Sequence, residues 1–239
     1  MSNPATPIPE SNTLLGHPTG LFLLFATEMW ERFSYYGMRA LLVLSMVAGV
    51  ETANPGFGWT STEALRLYGL FTGFVYFTPL IGGWFADNYL GQRRSVVMGG
   101  VVMALGQFTL ACSIPGNLQL FYSGLLLLVI GNGLFKPNIS TMVGDLYQKD
   151  DARLDGAFTI FYMGINLGAF LAPLVCSTLG ENPALGWRYG YFAAGCGMLL
   201  SVVIQLSLGP RLLQEIGLPP AAQRSLQLDG GIKKPLTAL

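Results

Sequence analysis

Apolar residues along the chain gather into six blocks, each about as long as the ~20 residues that an α-helix needs to cross a bilayer. Short polar breaks carrying Gly, Pro or Asn separate them. The pattern predicts helices over about 19–49, 63–87, 95–113, 118–146, 156–179 and 187–208. Between them fall "ETANPGFGWTST", "NYLGQRR", "IPGN", "YQKDDARLD" and "GENPALG", all rich in turn-forming residues. Buried soluble helices rarely come six in a row at this length. The expected fold is therefore an all-α integral membrane protein with a six-transmembrane-helix bundle over 19–208. An N-terminal tail (1–18) precedes it, and a Pro-, Gln- and Lys-containing tail (209–239) follows.

Composition sharpens this reading. Of 239 residues, 51% are hydrophobic and 11% charged, less than half the charged fraction usual for a soluble domain. The formal net charge is zero, so nothing favours nucleic acid or a polybasic membrane anchor. Lys and Arg fall unevenly among the breaks. Arg93, Arg94, Lys149 and Arg153 lie on one side, joined by Arg211, Arg224, Lys233 and Lys234 of the tail. The positive-inside rule then puts both ends in the cytoplasm, as an even helix count requires. Cys112, Cys176 and Cys196 lie inside apolar blocks and read as small core hydrophobes. His17 reads as a juxtamembrane surface residue. Gly164 and Gly168, four apart on one helical face, suit close approach of two membrane helices.

The first block breaks the apolar pattern. Its "ATEMWERFSYYGMRALLVL" holds Glu28, Glu31, Arg32 and Arg39. At 100° per residue these charges, with Tyr35, share roughly 100° of arc, and Tyr36 lies at its edge. The stripe runs about 16 Å along the axis, half the hydrocarbon thickness, too deep for side chains to snorkel. Glu28 and Arg32 are also spaced to pair as a structural i,i+4 ion pair. Intramembrane charges are costly and usually line a pathway for ions or substrate. Lys136, beside the helix-bending Pro137, is a second charge at depth and needs a carboxylate partner from the protein or a ligand. Tyr76 and Asn166 add neutral hydrogen-bonding groups.

Four segments resemble the proton-dependent oligopeptide transporter family. "EMWERFSYYG" matches its Glu-x-x-Glu-Arg-Phe-x-Tyr-Tyr-Gly motif, and "GNGLFKPNIS" resembles its fourth-helix lysine segment. "GGWFADNYLG" and "FTIFYMGINLGAF" resemble its two diagnostic segments. The run "GWFADNYLGQRR" is also similar to the cytoplasmic loop motif of the major facilitator superfamily. The resemblance covers residues 20 to about 208. It implies the amino-terminal half of a major facilitator fold and uptake of di- and tripeptides by proton symport at the cell inner membrane. The proton is then the coupling ion, and no other cofactor is implied. Residue by residue, it implies proton coupling by Glu28, Glu31 and Arg32. It implies peptide contacts by Arg32, Tyr35, Tyr36, Arg39, Tyr76, Lys136 and Asn166. It also implies a gate motif of Asp87, Gly91, Arg93 and Arg94, with Asp87 latched to the arginines.

The chemistry of a zwitterionic peptide fits these residues: cations for its carboxylate, Asn and Tyr for its amide groups. Two departures stand out. Phe77 follows Tyr76 where animal members of the family carry histidine. The family fold has at least twelve helices, and this chain supplies six, so a carboxy-terminal six-helix bundle is the implied partner, alongside peptide, protons and lipid. Without it, the polar stripe is expected to face lipid or a second copy. Other readings are a carrier of nitrate or amino acid derivatives, and a membrane subunit that does not transport. No nucleophile–base arrangement or phosphate loop suggests an enzyme.

Overall fold

The computed structural model describes residues 13–148, 150–220 and 222. Lys149, Arg224, Lys233 and Lys234 of the charge count, and the outer parts of both tails, lie outside the described residues. A two-residue hairpin pairs Thr13–Leu14 with His17–Pro18. Its turn needs the positive φ of Leu15 and Gly16, the twist that two-residue hairpins favour.

Six long helices follow: α1 (Thr19–Val47), α2 (Ser61–Phe85), α3 (Gln92–Ser113), α4 (Leu118–Asp145), α5 (Leu154–Ala172) and α6 (Trp187–Leu212). A π turn at Ala86–Leu90 extends α2; another at Pro173–Ser177 and a last turn at Thr178–Gly180 extend α5. The second π turn begins at Pro173, whose missing N–H disrupts the regular ladder. Five of the six helices are long and apolar enough to cross a membrane. The sixth, α1, has 29 residues, and its four charges set it apart from the rest.

The six expected helices are present, with shifted ends. Residues 61 and 62 belong to α2 because Thr60 and Glu63 form a reciprocal capping box: Glu63 N–H donates to Thr60 Oγ1 (3.3 Å), and Thr60 N–H to Glu63 Oε2 (2.9 Å). The expectation that the bundle ends at 208 is corrected, since α6 runs on to Leu212 through Pro210.

Parallel and antiparallel neighbours both build the bundle: Gly164 meets Phe25 and Gly168 meets Met29, so α1 and α5 run the same way. The core lies where α1 meets α5 and α6, and where α3 meets α4 and α6; α2 lies along α4. Glycines set these approaches. A methyl group on Gly168 of α5 would meet the Met29 carbonyl, and would lie 3.0 Å from both Arg32 Cβ and Phe33 N. On Gly131 of α4 it would lie 2.6 Å from the Gly99 carbonyl of α3. The Gly164–Gly168 face thus carries the α1–α5 contact that its spacing suggested.

The two ends of the bundle are tied differently. At one end, Asn54 joins the α1–α2 loop to α5 and α6: its Nδ2 donates to the Gly180 carbonyl (2.8 Å), and it accepts from Trp187 N–H (3.3 Å). At the other end gather the hairpin, the α2–α3 turn, the α4–α5 loop and the segment after α6. There Arg153 donates to the Gly16 carbonyl (2.9 Å) and grips Asp151 through Nε (3.1 Å) and Nη2 (2.8 Å). These hydrogen bonds hold the Asp151 carboxyl low, at about 2. His17, half-buried just before α1, has its Nδ1 2.8 Å from the Tyr147 hydroxyl. Only Cys176 of the three cysteines is buried; Cys112 and Cys196 are exposed on outward helix faces, correcting the expectation that all three pack inside.

Candidate functional site

The charged stripe of α1 divides in two. Its lower part is sealed within the bundle: Glu28, Glu31 and Arg32 are 2%, 0% and 4% exposed. Arg32 Nε lies 2.9 Å from Glu28 Oε1 and 2.5 Å from Glu31 Oε2. These contacts are ion pairs off the N–H direction, so Arg32 Nε and Nη2, Glu28 Oε2 and both Glu31 oxygens carry no aligned hydrogen bond. The i,i+4 pair suggested by sequence spacing is formed, and Glu31 joins it. Gly168 of α5 brings a bare backbone against the same turn of α1, which is how the bundle covers the cluster.

This overturns the expectation that six helices alone would leave the whole stripe facing lipid. Two carboxylates around one guanidinium leave a formal charge of −1 when both acids are ionised, and zero when one is protonated.

The upper part of the stripe opens outward. Tyr35 lies beneath the Arg32 guanidinium, 5.4 Å from its ring centroid, and meets the Tyr36 ring at 5.4 Å. Arg39 stacks on the Tyr68 ring at 5.5 Å and donates from Nε to the Tyr68 hydroxyl. Tyr36, Arg39 and Tyr68 line an open recess of about 340 Å³ with Ala40, Ala169 and Pro173. Tyr68 was not singled out from the sequence; an aromatic about two turns inside a helix start carries no distinguishing signal there.

Lys136 of α4 lies over the Tyr76 ring at 5.2 Å and acts electrostatically on Glu28 and Glu31. Its partners are thus an aromatic face and the charged cluster. Tyr76 and Asn166 are both exposed, on α2 and α5, the two most outward-facing helices. Behind the cluster, neutral polar groups tie α1 to its neighbours. Thr27 Oγ1 donates to Gln205 Oε1 (3.2 Å), Ser201 Oγ to the Thr27 carbonyl (2.6 Å), and Gln107 Nε2 to Ser34 Oγ (3.1 Å). Gln107 and Gln205 are polar residues inside apolar blocks, a signal the sequence does offer.

The loop motif is arranged differently from the expected latch. Among the described residues no ion pair joins Asp87 to Arg93 or Arg94; Asp87 and Arg94 are exposed. Arg93 Nη2 instead donates to the carbonyls of Gln214 (2.7 Å) and Ile216 (2.8 Å), and its backbone N–H to Gly217 (2.9 Å). Gly91, at φ +77°, has no room for a side chain: its Cβ would lie 2.6 Å from Pro219 N. The motif therefore binds the chain that leaves α6.

A bundle of apolar helices with charges clustered at its midplane defines a membrane transport protein. Residues 93–221 match the POT family, PTR2. The chain is 41% identical over 239 residues to the peptide transporter YePEPT of Yersinia enterocolitica, covering 98% of this chain and 46% of that one. It is 41% identical over 209 residues to a di-/tripeptide transporter of Lactococcus lactis, covering 87% and 41%. A crystal structure of a peptide transporter POT in complex with sulfate superposes with a TM-score of 0.80 at 42% identity, covering 91% of this chain and 45% of that one. The chain belongs to the POT family of transporters. It spans less than half the length of these relatives, with the six-helix fold matching about half of the solved structure.

Proposed function

We propose that this chain is the amino-terminal bundle of a symporter that moves di- and tripeptides inward with protons by alternating access. The observation that carries the reading is the sealed Glu28–Glu31–Arg32 cluster, continuous through Tyr35 and Lys136 with the open recess at Arg39. Protonation of one glutamate frees part of the Arg32 charge. A peptide carboxylate arriving beside Arg32, Arg39 and Lys136 finds cations; Tyr35, Tyr36, Tyr76 and Asn166 meet its amide groups. Relatives at about 41% identity that carry di-/tripeptide or peptide transporter names support this substrate class.

The opposing wall of the site is a second six-helix bundle set against α2 and α5, and access alternates as the two rock about a midplane site. The end bearing Arg93, Arg94 and Arg153 faces the cytoplasm, as do the chain before α1 and the chain after α6. Asp87, Gly91, Arg93 and Arg94 work there as a gate-side clamp on the segment after α6, which leads toward the second bundle.

The test is reconstitution in liposomes under an imposed pH gradient, using residues 1–239 alone and together with the carboxy-terminal half as a separate polypeptide. Dipeptide accumulation only when both are present is the expected result. Coupled uptake by residues 1–239 alone would contradict the two-bundle site. Accumulation of nitrate or an amino acid derivative in place of dipeptide would assign a different solute.

A further inference from the structure

We propose that Asn132 of α4 is a positioning residue for the glutamate pair, orienting one ordered internal water on Glu31. The proposal deepens the proton-coupling reading and rests on it for its transport readout.

Asn132 is 1% exposed, and both its Oδ1 and Nδ2 lack a hydrogen-bond partner among the described residues. Glu28 Oε2, both Glu31 oxygens, and Arg32 Nε and Nη2 likewise carry no aligned hydrogen bond, although Arg32 Nε stands in its ion pairs with Glu28 Oε1 and Glu31 Oε2. These seven polar atoms share one depth. Gly131, beside Asn132, packs on Gly99 and Met103 of α3. Gly100 packs on Val202 of α6, and Ser201 holds the Thr27 carbonyl one residue before Glu28. They also share one side. Lys136 follows Asn132 by four residues on the same face of α4, and Lys136 acts on Glu28, Glu31 and Arg32. The α4 face that carries Asn132 is therefore the face turned to the cluster.

Buried polar groups without partners are ordinarily satisfied by ordered water, which needs two to four polar neighbours. An amide side chain has two donors and an acceptor, and water offers both roles as well. Asn132 and a water between it and Glu31 can donate to the ionised carboxylate. They can accept from the same carboxyl once it is protonated. A side chain with one role alone, such as lysine, cannot serve both states. Asn132 thereby keeps Glu31 solvated at membrane depth in both its protonated and its ionised state. The charged and titratable groups facing this site are Glu28, Arg32 and Tyr35 of α1, Lys136 of α4 and Tyr76 of α2. At this depth α3 and α6 present Gln107 and Gln205, and α5 presents Gly164 and Gly168.

The experiment compares the full-length transporter with its Asn132→Leu and Asn132→Ser variants in lipid. Two readouts are taken: the pH dependence of proton-driven dipeptide uptake beside dipeptide counterflow, and the infrared difference spectrum on a pH step in ordinary and heavy-oxygen water. The expected result is a water O–H band sensitive to heavy oxygen that rises and falls with the Glu31 carboxyl band and vanishes in Glu31→Gln. Asn132→Leu removes that water band. It moves the pH of half-maximal uptake by about half a unit or more, the scale of one charge-assisted hydrogen bond, with counterflow unchanged. Asn132→Ser, which keeps a hydroxyl and leaves room for water, restores both. A folded Asn132→Leu protein with the wild-type pH profile and water band would overturn the proposal. Should that variant fail to fold, the wild-type and Asn132→Ser spectra decide, and a wild-type spectrum without the heavy-oxygen-sensitive band overturns it. A wild type that shows the band but no proton-driven uptake would refute the coupling reading and leave the water site standing.

Discussion

Replacing Gly168 with alanine puts one methyl group where α5 crosses the charged turn of α1. The added carbon meets the Met29 carbonyl and lies 3.0 Å from Arg32 Cβ and from Phe33 N. Two of these three atoms are backbone, in the middle of a 29-residue helix, so they cannot rotate away. The neighbouring helix has to move instead. Overpacking of this kind costs about 1–3 kcal/mol. Alanine also gains up to ~1 kcal/mol of helix propensity over glycine, so the net loss falls between zero and about 2 kcal/mol. Gly144→Ala separates the two effects. Gly144 is also helical, in the last turn of α4, and a methyl there meets nothing within 4 Å. The gap between the variants is then close to the overpacking cost alone. Equilibrium unfolding in a mild detergent is the assay, with Gly144→Ala at or above wild type and Gly168→Ala below it. Equal stabilities would refute the argument that α5 seals the cluster by direct backbone contact.

Three further outcomes follow from the geometry. Arg93→Ala removes the donors to the Gln214 and Ile216 carbonyls and is expected to speed amide exchange over residues 214–217, whereas Asp87→Asn leaves exchange there unchanged; the reverse would restore the latch. Lys136→Ala is expected to reduce dipeptide uptake sharply, with expression and detergent stability measured beside uptake; full uptake by a well-folded variant would make Lys136 structural only. The Asp151–Arg153 contact lowers the Asp151 carboxyl from 3.8 to about 2, so its stabilisation of the α4–α5 loop is complete above pH ~4 and is lost as pH falls toward 2. Exchange rates in that loop are accordingly expected to rise in Asp151→Asn at pH 6 and to rise much less in it at pH 2.

Much of this was legible in the order of residues. Helix number and type follow from block length, and the Glu28–Arg39 stripe follows from the 100° turn, because both are local properties of one helix. Burial of half the stripe was not legible. It depends on Gly168, 140 residues after Glu28, allowing α5 to close over that turn. The partners of Arg93 were hidden for the same reason: its nearest carboxylate in sequence is Asp87, but the chain returning from α6 sets two carbonyls against it. Cysteine placement shows the limit of hydropathy, which separates membrane from water and does not distinguish a lipid-facing position from a core one. Asn132 stands inside a segment whose neighbour Lys136 draws the attention, and only its sealed, unpartnered amide marks it.

The measurement closest to the central claim is dipeptide accumulation by the full-length transporter in proteoliposomes under an inward proton gradient, with Glu28→Gln and Glu31→Gln compared with wild type. Neutral amides keep the shape of the cluster but cannot carry a proton. The account predicts that both variants lose uphill accumulation and retain exchange of labelled for unlabelled dipeptide. Accumulation against a gradient by both glutamine variants would contradict it.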